Sequence, residues 1–119
     1  MSIRIGKSKN LTLISGPCAI ESEKISMSIA ETICELTKDL EISYVFKASF
    51  DKANRSSLSS ERGIGLDKGL KVLEKIKNTF KIPVLTDVHE DTPIDEVADV
   101  VDILQTPAFL CRQTNFILK

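Results

Sequence analysis

The chain has 119 residues, of which 42% are hydrophobic and 28% are charged, and its formal net charge is −1. This length suits one small domain, and this composition is typical of soluble globular proteins. Binding to nucleic acid or to a membrane surface requires a basic face, so the near-neutral charge argues against both kinds of partner.

Strand and helix patterns alternate from the first apolar run onward. Leu11–Ser15 is predicted to be a strand that ends at the turn signal Gly16-Pro17. Ser22 can cap the next helix, whose apolar residues recur at helical spacing: Ile25, Ile29, Ile33, Leu36 and Leu40. Residues 43–49 form the second predicted strand, and their bulky apolar side chains indicate burial on both faces.

The stretch 50–64 has neither periodicity, and we interpret it as a loop of a length that is commonly functional. A second helix follows, with apolar residues again at helical spacing: Leu66, Leu70, Leu73, Ile76 and Phe80. Residues 82–86 and 101–105 are the third and fourth predicted strands. Thr92 is predicted to cap a short third helix between them, with Pro93 in its first turn, and residues 112–119 could begin a fourth.

This order predicts an α/β fold with a parallel sheet and helical crossovers. The strand pattern leaves two architectures open, a (β/α)8 barrel and a doubly wound open sheet. A complete barrel needs about 250 residues. Residues 1–119 would therefore form a single unit with only the first four βα repeats of such a barrel.

Polar residues gather where the predicted strands end, which is the edge of a parallel α/β sheet where ligands bind. They are Cys18, Lys47, Ser49, Asp87, His89 and Gln105. Some also have a structural interpretation: Lys47 can reach solvent, Cys18 can be a small buried residue, and Asp87 can cap a helix. His89 is the only histidine, so the chain contains no histidine pair for a metal.

The loop after the second strand concentrates positive charge. Lys47, Lys52 and Arg55 supply cations, and Asn54 and Ser56 add hydrogen-bonding groups. Lysine provides a point charge and arginine a bidentate fork, a combination that suits phosphate or carboxylate. Such a cluster in a nearly neutral chain predicts a small anionic ligand.

The cysteines Cys18, Cys34 and Cys111 are odd in number and widely spaced, which does not suggest a disulfide framework. Cys34 and Cys111 are expected to be packing residues. The apolar stretch 11–14 is far too short for a signal sequence or a membrane span. We therefore expect a reducing, cytoplasmic location.

Four segments of the chain resemble the 3-deoxy-D-manno-octulosonate 8-phosphate synthases. Residues 44–57, Tyr-Val-Phe-Lys-Ala-Ser-Phe-Asp-Lys-Ala-Asn-Arg-Ser-Ser, resemble the signature segment of that family and are highly specific. Residues 16–22, 86–90 and 105–114 match in the family's order. The Gly-Pro-Cys turn is less specific, because related pyruvate-condensing synthases share it.

The resemblance implies a transferase that joins phosphoenolpyruvate to D-arabinose 5-phosphate and releases phosphate, in the biosynthesis of Kdo and lipopolysaccharide. It also implies a truncated TIM barrel and, for the full-length family, a cytoplasmic homotetramer. Lys47 and Lys52 would hold the carboxylate and phosphate of phosphoenolpyruvate, supported by Ser49 and Gln105. Asp87 would lie beside the reacting carbons, and Asp87 and Lys47 are the implied catalytic residues.

The arabinose 5-phosphate site is implied by the same resemblance. Asn54, Arg55 and Ser56 would bind this substrate, and Arg112 would reach the sugar phosphate of a neighbouring subunit. Cys18 stands where metal-dependent members of the family have cysteine and metal-independent members have asparagine. It would therefore be a thiolate ligand of a divalent ion, zinc, iron or manganese.

The family's other metal ligands and further phosphate-binding residues lie beyond the equivalent of Lys119, and Asn115 stands where aspartate is common. We therefore expect the chain to be the N-terminal half of a synthase and to be inactive alone. Two alternatives stay open: a non-catalytic remnant of a split or decayed gene, and a related 3-deoxy-arabino-heptulosonate 7-phosphate synthase that uses erythrose 4-phosphate. The segment from Lys52 to Arg55 argues against the second alternative.

Overall fold

The computed structural model describes residues 3–6, 10–51 and 63–119. The strands are β1 (Leu11–Ser15), β2 (Ile42–Lys47), β3 (Val84–Asp87) and β4 (Ile103–Gln105). The helices are α1 (Glu23–Thr37), α2 (Leu66–Phe80), α3 (Ile94–Val100) and α4 (Thr114–Ile117).

The four strands form one parallel sheet in the order β1-β2-β3-β4. A doubly wound sheet would reverse its strand order at a switch point, whereas here each strand lies beside its neighbour in the chain. The fold is therefore α/β, with strands and helices arranged as in the first βα units of a TIM barrel. This confirms the fold class predicted from the sequence.

The two faces of the sheet have different surroundings. Tyr44, Phe46 and Val84 belong to the apolar core that the helices cover. The alternation of side chains along a strand places Lys47 on the opposite face, and the parallel register pairs Lys47 with Leu85 and Asp87 with Gln105. We call this second side, which carries Val45, Lys47, Ser49, Leu85, Asp87 and Gln105, the helix-free face.

Helix α2 anchors the helical layer. Val72, Leu73 and Ile76 recur at helical spacing and are buried at 4%, 0% and 0% exposure. Each side chain of this kind contributes about 1.5–3 kcal/mol when fully buried. Gly69 lies on the same helix against Phe50, where an added Cβ would come within 2.5 Å of the Phe50 Cβ. The helix therefore fixes the residue that follows Ser49.

The ends of the elements depart from the sequence prediction in places. Ser22 caps α1 as predicted, accepting a hydrogen bond from the Ile25 amide at 3.3 Å. The predicted cap Thr92 instead accepts from the His89 amide at 2.7 Å, and Pro93 is the N-cap of α3. Strand β3 begins at Val84 because Pro83 has no amide proton to pair. The Val84 amide donates to the Asp102 carboxylate at 3.0 Å.

Two burial predictions for cysteines have different outcomes. Cys34 is partly buried and packs against the core, as expected. Cys111 is exposed, so its interpretation as a packing residue was wrong. The neighbouring Leu110 is buried at 4% exposure and occupies the core in its place. A single apolar residue at the end of an irregular segment has no periodicity that reveals which side chain points inward.

Candidate active site

The carboxyl ends of the strands bring the predicted polar residues to one edge of the sheet. Lys47 ends β2, Asp87 ends β3 and Gln105 ends β4. An isolated parallel bridge pairs Ala19 with Ser49, so the backbone pairing between these two segments continues past the end of β2. Cys18 directly precedes that bridge. The edge therefore collects groups that are distant in sequence.

Gly16 allows the first two strands to approach closely at Lys47. A Cβ at residue 16 would lie 2.0 Å from the Lys47 carbonyl oxygen, well inside any contact that a real side chain makes. Only glycine avoids this collision without moving the backbone. The Gly-Pro-Cys turn thus has a steric role at the base of Lys47.

Two buried polar atoms on the helix-free face have no hydrogen-bond partner among the described residues. They are the hydroxyl of Ser49, which is fully buried, and Oδ1 of Asp87, whose residue is 8% exposed. The hydroxyls of Ser26 and Thr86 are also unpartnered there, but Ser26 belongs to α1 and Thr86 alternates to the helix-covered face. Buried polar groups are nearly always bonded in native proteins, so Ser49 and Asp87 are suited to receive polar groups of a ligand.

The imidazole of His89 lies beside the carboxylate of Asp87. Its Nε2 lies 3.4 Å from Oδ2 of Asp87, and both side chains are about nine-tenths buried. The Phe50 ring meets the imidazole edge-on, with ring centroids 6.1 Å apart and planes at 79°. His89 also lines a cleft of about 160 Å³ together with Phe50, Asp51, Leu66, Asp91 and Thr92.

The remaining predicted site residues are either exposed or outside the described residues. Cys18, Gln105 and Arg112 are exposed, which rules out the interpretation of Cys18 as a small buried residue. Lys47 is partly buried. Lys52, Asn54, Arg55 and Ser56 fall in the segment 52–62, outside the described residues.

A metal ion would need more donors than this edge supplies. Cys18 offers a single thiol, and within residues 3–6, 10–51 and 63–119 no three His, Cys, Asp or Glu side chains are grouped to hold an ion. Structural and catalytic zinc sites use at least three protein ligands. The described residues alone therefore do not fit a complete metal site.

Tyr44, on the helix-covered face, connects β1 and β2 through its side chain. Its hydroxyl donates to the Ser15 carbonyl oxygen at 3.1 Å. Burial raises the pKa of Tyr44 well above its ordinary value, and the nearby Cys34 raises it further. Burial also raises the pKa of the Cys34 thiol. Both groups are neutral at physiological pH and are structural parts of the core.

None of the helices in the described part of the chain is long and apolar enough to cross a membrane.

Comparison with known proteins identifies close relatives along nearly the entire chain. The model of the DAHP synthetase I family matches residues 1–119. The chain is 62% identical over 118 residues to a 2-dehydro-3-deoxyphosphooctonate aldolase of Francisella tularensis subsp. mediasiatica, covering 99% of this chain and 43% of that protein. It is 60% identical over 113 residues to the protein of the same name from Coxiella burnetii, covering 95% of this chain and 40% of that protein. The chain thus spans about two fifths of the length of these relatives.

Proposed function

Because the chain belongs to the DAHP synthetase I family, we propose that it supplies part of the active site of a phosphoenolpyruvate-condensing synthase. The reaction would join phosphoenolpyruvate to D-arabinose 5-phosphate and give 3-deoxy-D-manno-octulosonate 8-phosphate and phosphate. Two relatives that are 62% and 60% identical to the chain carry the name 2-dehydro-3-deoxyphosphooctonate aldolase, which supports this choice of reaction.

The observation that carries the proposal is the pair of unpartnered polar atoms beside Lys47. Ser49 Oγ and Asp87 Oδ1 are buried, lie on the same face as Lys47, and have no hydrogen-bond partner in the described part of the chain. A ligand with both acceptor and donor groups would satisfy them, and the Lys47 ammonium would neutralise its negative charge.

The reaction explains why fixed cations are needed. Phosphoenolpyruvate and arabinose 5-phosphate are both anionic, so bringing C3 of the first to the aldehyde carbon of the second is repulsive in water. Lys47, with Lys52, would hold the carboxylate and phosphate of phosphoenolpyruvate, and Gln105 would support that site. Cations held in place before the substrates bind cost no reorganisation during the reaction. Asp87 would lie beside the reacting carbons.

The sugar phosphate would bind on the other side of phosphoenolpyruvate. Asn54, Arg55 and Ser56 are the proposed ligands for arabinose 5-phosphate, and Arg112 is proposed to reach the substrate of a neighbouring subunit in a homotetramer. The exposure of Arg112 is compatible with contact across an interface. We also propose a cytoplasmic location, since both substrates are phosphorylated metabolites.

Cys18 is proposed as one ligand of a divalent zinc, iron or manganese ion. Its exposed thiol at the strand-end edge supports this role, but the ion requires additional donors from outside the described residues. When bound, such an ion supplies Lewis acidity near a carbonyl or water oxygen. The binding role proposed for Lys47 and the place proposed for Asp87 do not involve this ion.

The test is phosphate release from phosphoenolpyruvate in a chimera in which residues 1–119 replace the matching segment of the Francisella tularensis subsp. mediasiatica relative. We expect release with arabinose 5-phosphate and little with erythrose 4-phosphate, each assayed with added divalent metal. The 119-residue chain alone is expected to release none. Release only with erythrose 4-phosphate would support the heptulosonate synthase, and an inactive chimera that folds would support a non-catalytic remnant.

A matched pair of lysine variants locates the activity. Lys47→Met in the chimera should raise KM for phosphoenolpyruvate about 10- to 100-fold, since a hydrogen bond to a charged group contributes about 1.5–3 kcal/mol. Lys71→Met, which alters an exposed lysine on α2, should leave KM unchanged. Equal KM values for the two variants would contradict the proposed role of Lys47.

A further inference from the structure

The two oxygens of the Asp87 carboxylate have different surroundings. Oδ2 faces His89 Nε2 at a distance of 3.4 Å. Oδ1 is buried and has no hydrogen-bond partner among the described residues. One oxygen therefore lies beside the imidazole, and the other is without a partner among the described residues. The place proposed for Asp87 beside the reacting carbons does not explain why its Oδ2 lies next to the imidazole of His89.

The imidazole is held in place on several sides. Phe50 meets it edge-on, and Phe50 itself is packed against Gly69 of α2. The backbone of His89 is closed into a turn with Thr92: the His89 amide donates to Thr92 Oγ1 at 2.7 Å, and the Thr92 amide donates to the His89 carbonyl at 3.2 Å. The ring can therefore act as a fixed support, since both its backbone and its flank are constrained.

We propose that His89 is a positioning residue, which holds the Asp87 carboxylate through Nε2 so that Oδ1 faces the substrates. The inference rests on the proposed function. A carboxylate at a strand end can rotate about its side-chain bonds, and anchoring one oxygen selects one orientation of the other. Misplacement of a reacting group by about 1 Å can cost on the order of 100-fold in rate. His89 acts through Asp87 and need not touch a substrate.

Two substitutions of His89 separate positioning from simple packing. His89→Gln keeps an N–H donor near the place of Nε2, whereas His89→Leu fills similar space without any donor. In the chimera, His89→Leu should lower kcat on the order of 10- to 100-fold with KM for phosphoenolpyruvate changed by less than about threefold, because the group is misplaced in the transition state rather than lost from binding. His89→Gln should recover most of that kcat.

Ile76→Ala is the control for a structural effect. It removes a fully buried side chain of α2 and leaves the imidazole, its turn with Thr92, and Asp87 unchanged. It should lower the denaturant midpoint of the chimera without the large drop in kcat. If His89→Leu and His89→Gln lose kcat equally, or if Ile76→Ala reproduces the kcat of His89→Leu, the positioning role is overturned.

A second measurement needs no turnover. Residues 1–119 contain one histidine, His89, so a chimera in which only this segment carries ¹⁵N, joined to the unlabelled remainder by segmental ligation, gives a single pair of imidazole ¹⁵N resonances. We expect a proton on Nε2 that exchanges slowly with water, because the side chain is 9% exposed. Asp87→Ala should shift the Nε2 resonance and speed that exchange. A proton on Nδ1 only, or a spectrum unchanged by Asp87→Ala, would overturn the inference.

The two proposals fail in different ways. A folded, unsubstituted chimera that releases no phosphate refutes the proposed function. An active chimera whose His89→Leu variant keeps its kcat refutes the role of His89 while the proposed function stands.

Discussion

The backbone position of Lys47 depends on Gly16, a residue in the turn after β1. Gly16 leaves room for the Lys47 carbonyl, which an added Cβ would approach to 2.0 Å. The collision involves backbone, so it cannot be relieved by rotating a side chain. The local geometry of Lys47 is therefore set by the turn after β1 as well as by β2.

Gly16→Ala is predicted to destabilise the chain by about 1–3 kcal/mol, the usual cost of forcing atoms into a packed site. Urea denaturation of the chimera would measure the loss. Gly6→Asn is the control, because nothing lies within 4 Å of a Cβ at residue 6 and asparagine tolerates its positive φ. Equal stability of the Gly16→Ala variant and the unsubstituted protein would show that β1 and β2 are not in close contact there.

Strand β2 is joined to β1 by Tyr44 as well as by backbone pairing. The Tyr44 hydroxyl donates to Ser15, and burial, with a smaller effect of Cys34, raises its pKa above the ordinary value of 10.0. A raised pKa in the folded state means that the folded protein binds the proton more tightly than the unfolded chain does. The stabilisation is therefore complete below pH 10 and declines as the pH rises above that value.

Tyr44→Phe should lower the free energy of unfolding by about 0.5–1.5 kcal/mol at neutral pH through loss of the hydrogen bond. It should also make stability less dependent on pH above 10, where Tyr44 of the unsubstituted chain ionises on unfolding. Unfolding curves of both proteins between neutral and alkaline pH would check this. Some dependence should persist, because burial also raises the pKa of Cys34. Parallel alkaline declines in the two proteins would contradict the assignment.

Helix α2 depends on its buried stripe rather than on its termini. Its N-cap is Gly65, which makes no side-chain capping bond, whereas Leu73 is fully buried. Leu73→Ala should lower the free energy of unfolding by about 2–5 kcal/mol, through lost burial and the cavity left behind. Lys71→Ala, on the exposed side of the same helix, should change it little. Thermal and urea unfolding would compare the two variants.

At the scale of the whole molecule, the sheet has apolar residues open to solvent at both of its edges. Leu11 and Ile14 on β1 are 65% and 46% exposed, and Leu104 on β4 is 39% exposed. Open parallel edges with apolar side chains favour pairing with another chain.

The 119-residue chain by itself is therefore predicted to be poorly stable or to associate through its open edges. Sedimentation velocity across a range of concentrations should show a weight-average mass above the 13.2 kDa of one chain, or else denaturation should lack a cooperative transition. Replacing Leu104 with lysine should reduce association, since a charged edge residue opposes strand pairing. A monodisperse monomer with a sharp transition would contradict this prediction.

The alternation of strands and helices could be predicted from the sequence, because apolar periodicity is a local property of the chain. The same local order placed Lys47, Ser49, Asp87 and Gln105 at strand ends, and a parallel sheet necessarily brings those ends together. The choice between a barrel-like order and a doubly wound sheet required the tertiary structure, because strand neighbours are set by packing. The exposure of Cys111 and the use of Thr92 in a turn also required the tertiary structure. The local sequence pattern was equally compatible with a packed Cys111 and with Thr92 as a helix cap.

The sequence by itself determined the α/β fold, the polar edge of the sheet and, through its specific segments, the family. Only the tertiary structure decided which polar atoms lack partners and that His89 faces Asp87, since both depend on distances between side chains across the end of β3 and its loop. Burial is a property of the packed chain, and a hydrogen-bonding group becomes available to a ligand only when packing has removed it from water without giving it a partner.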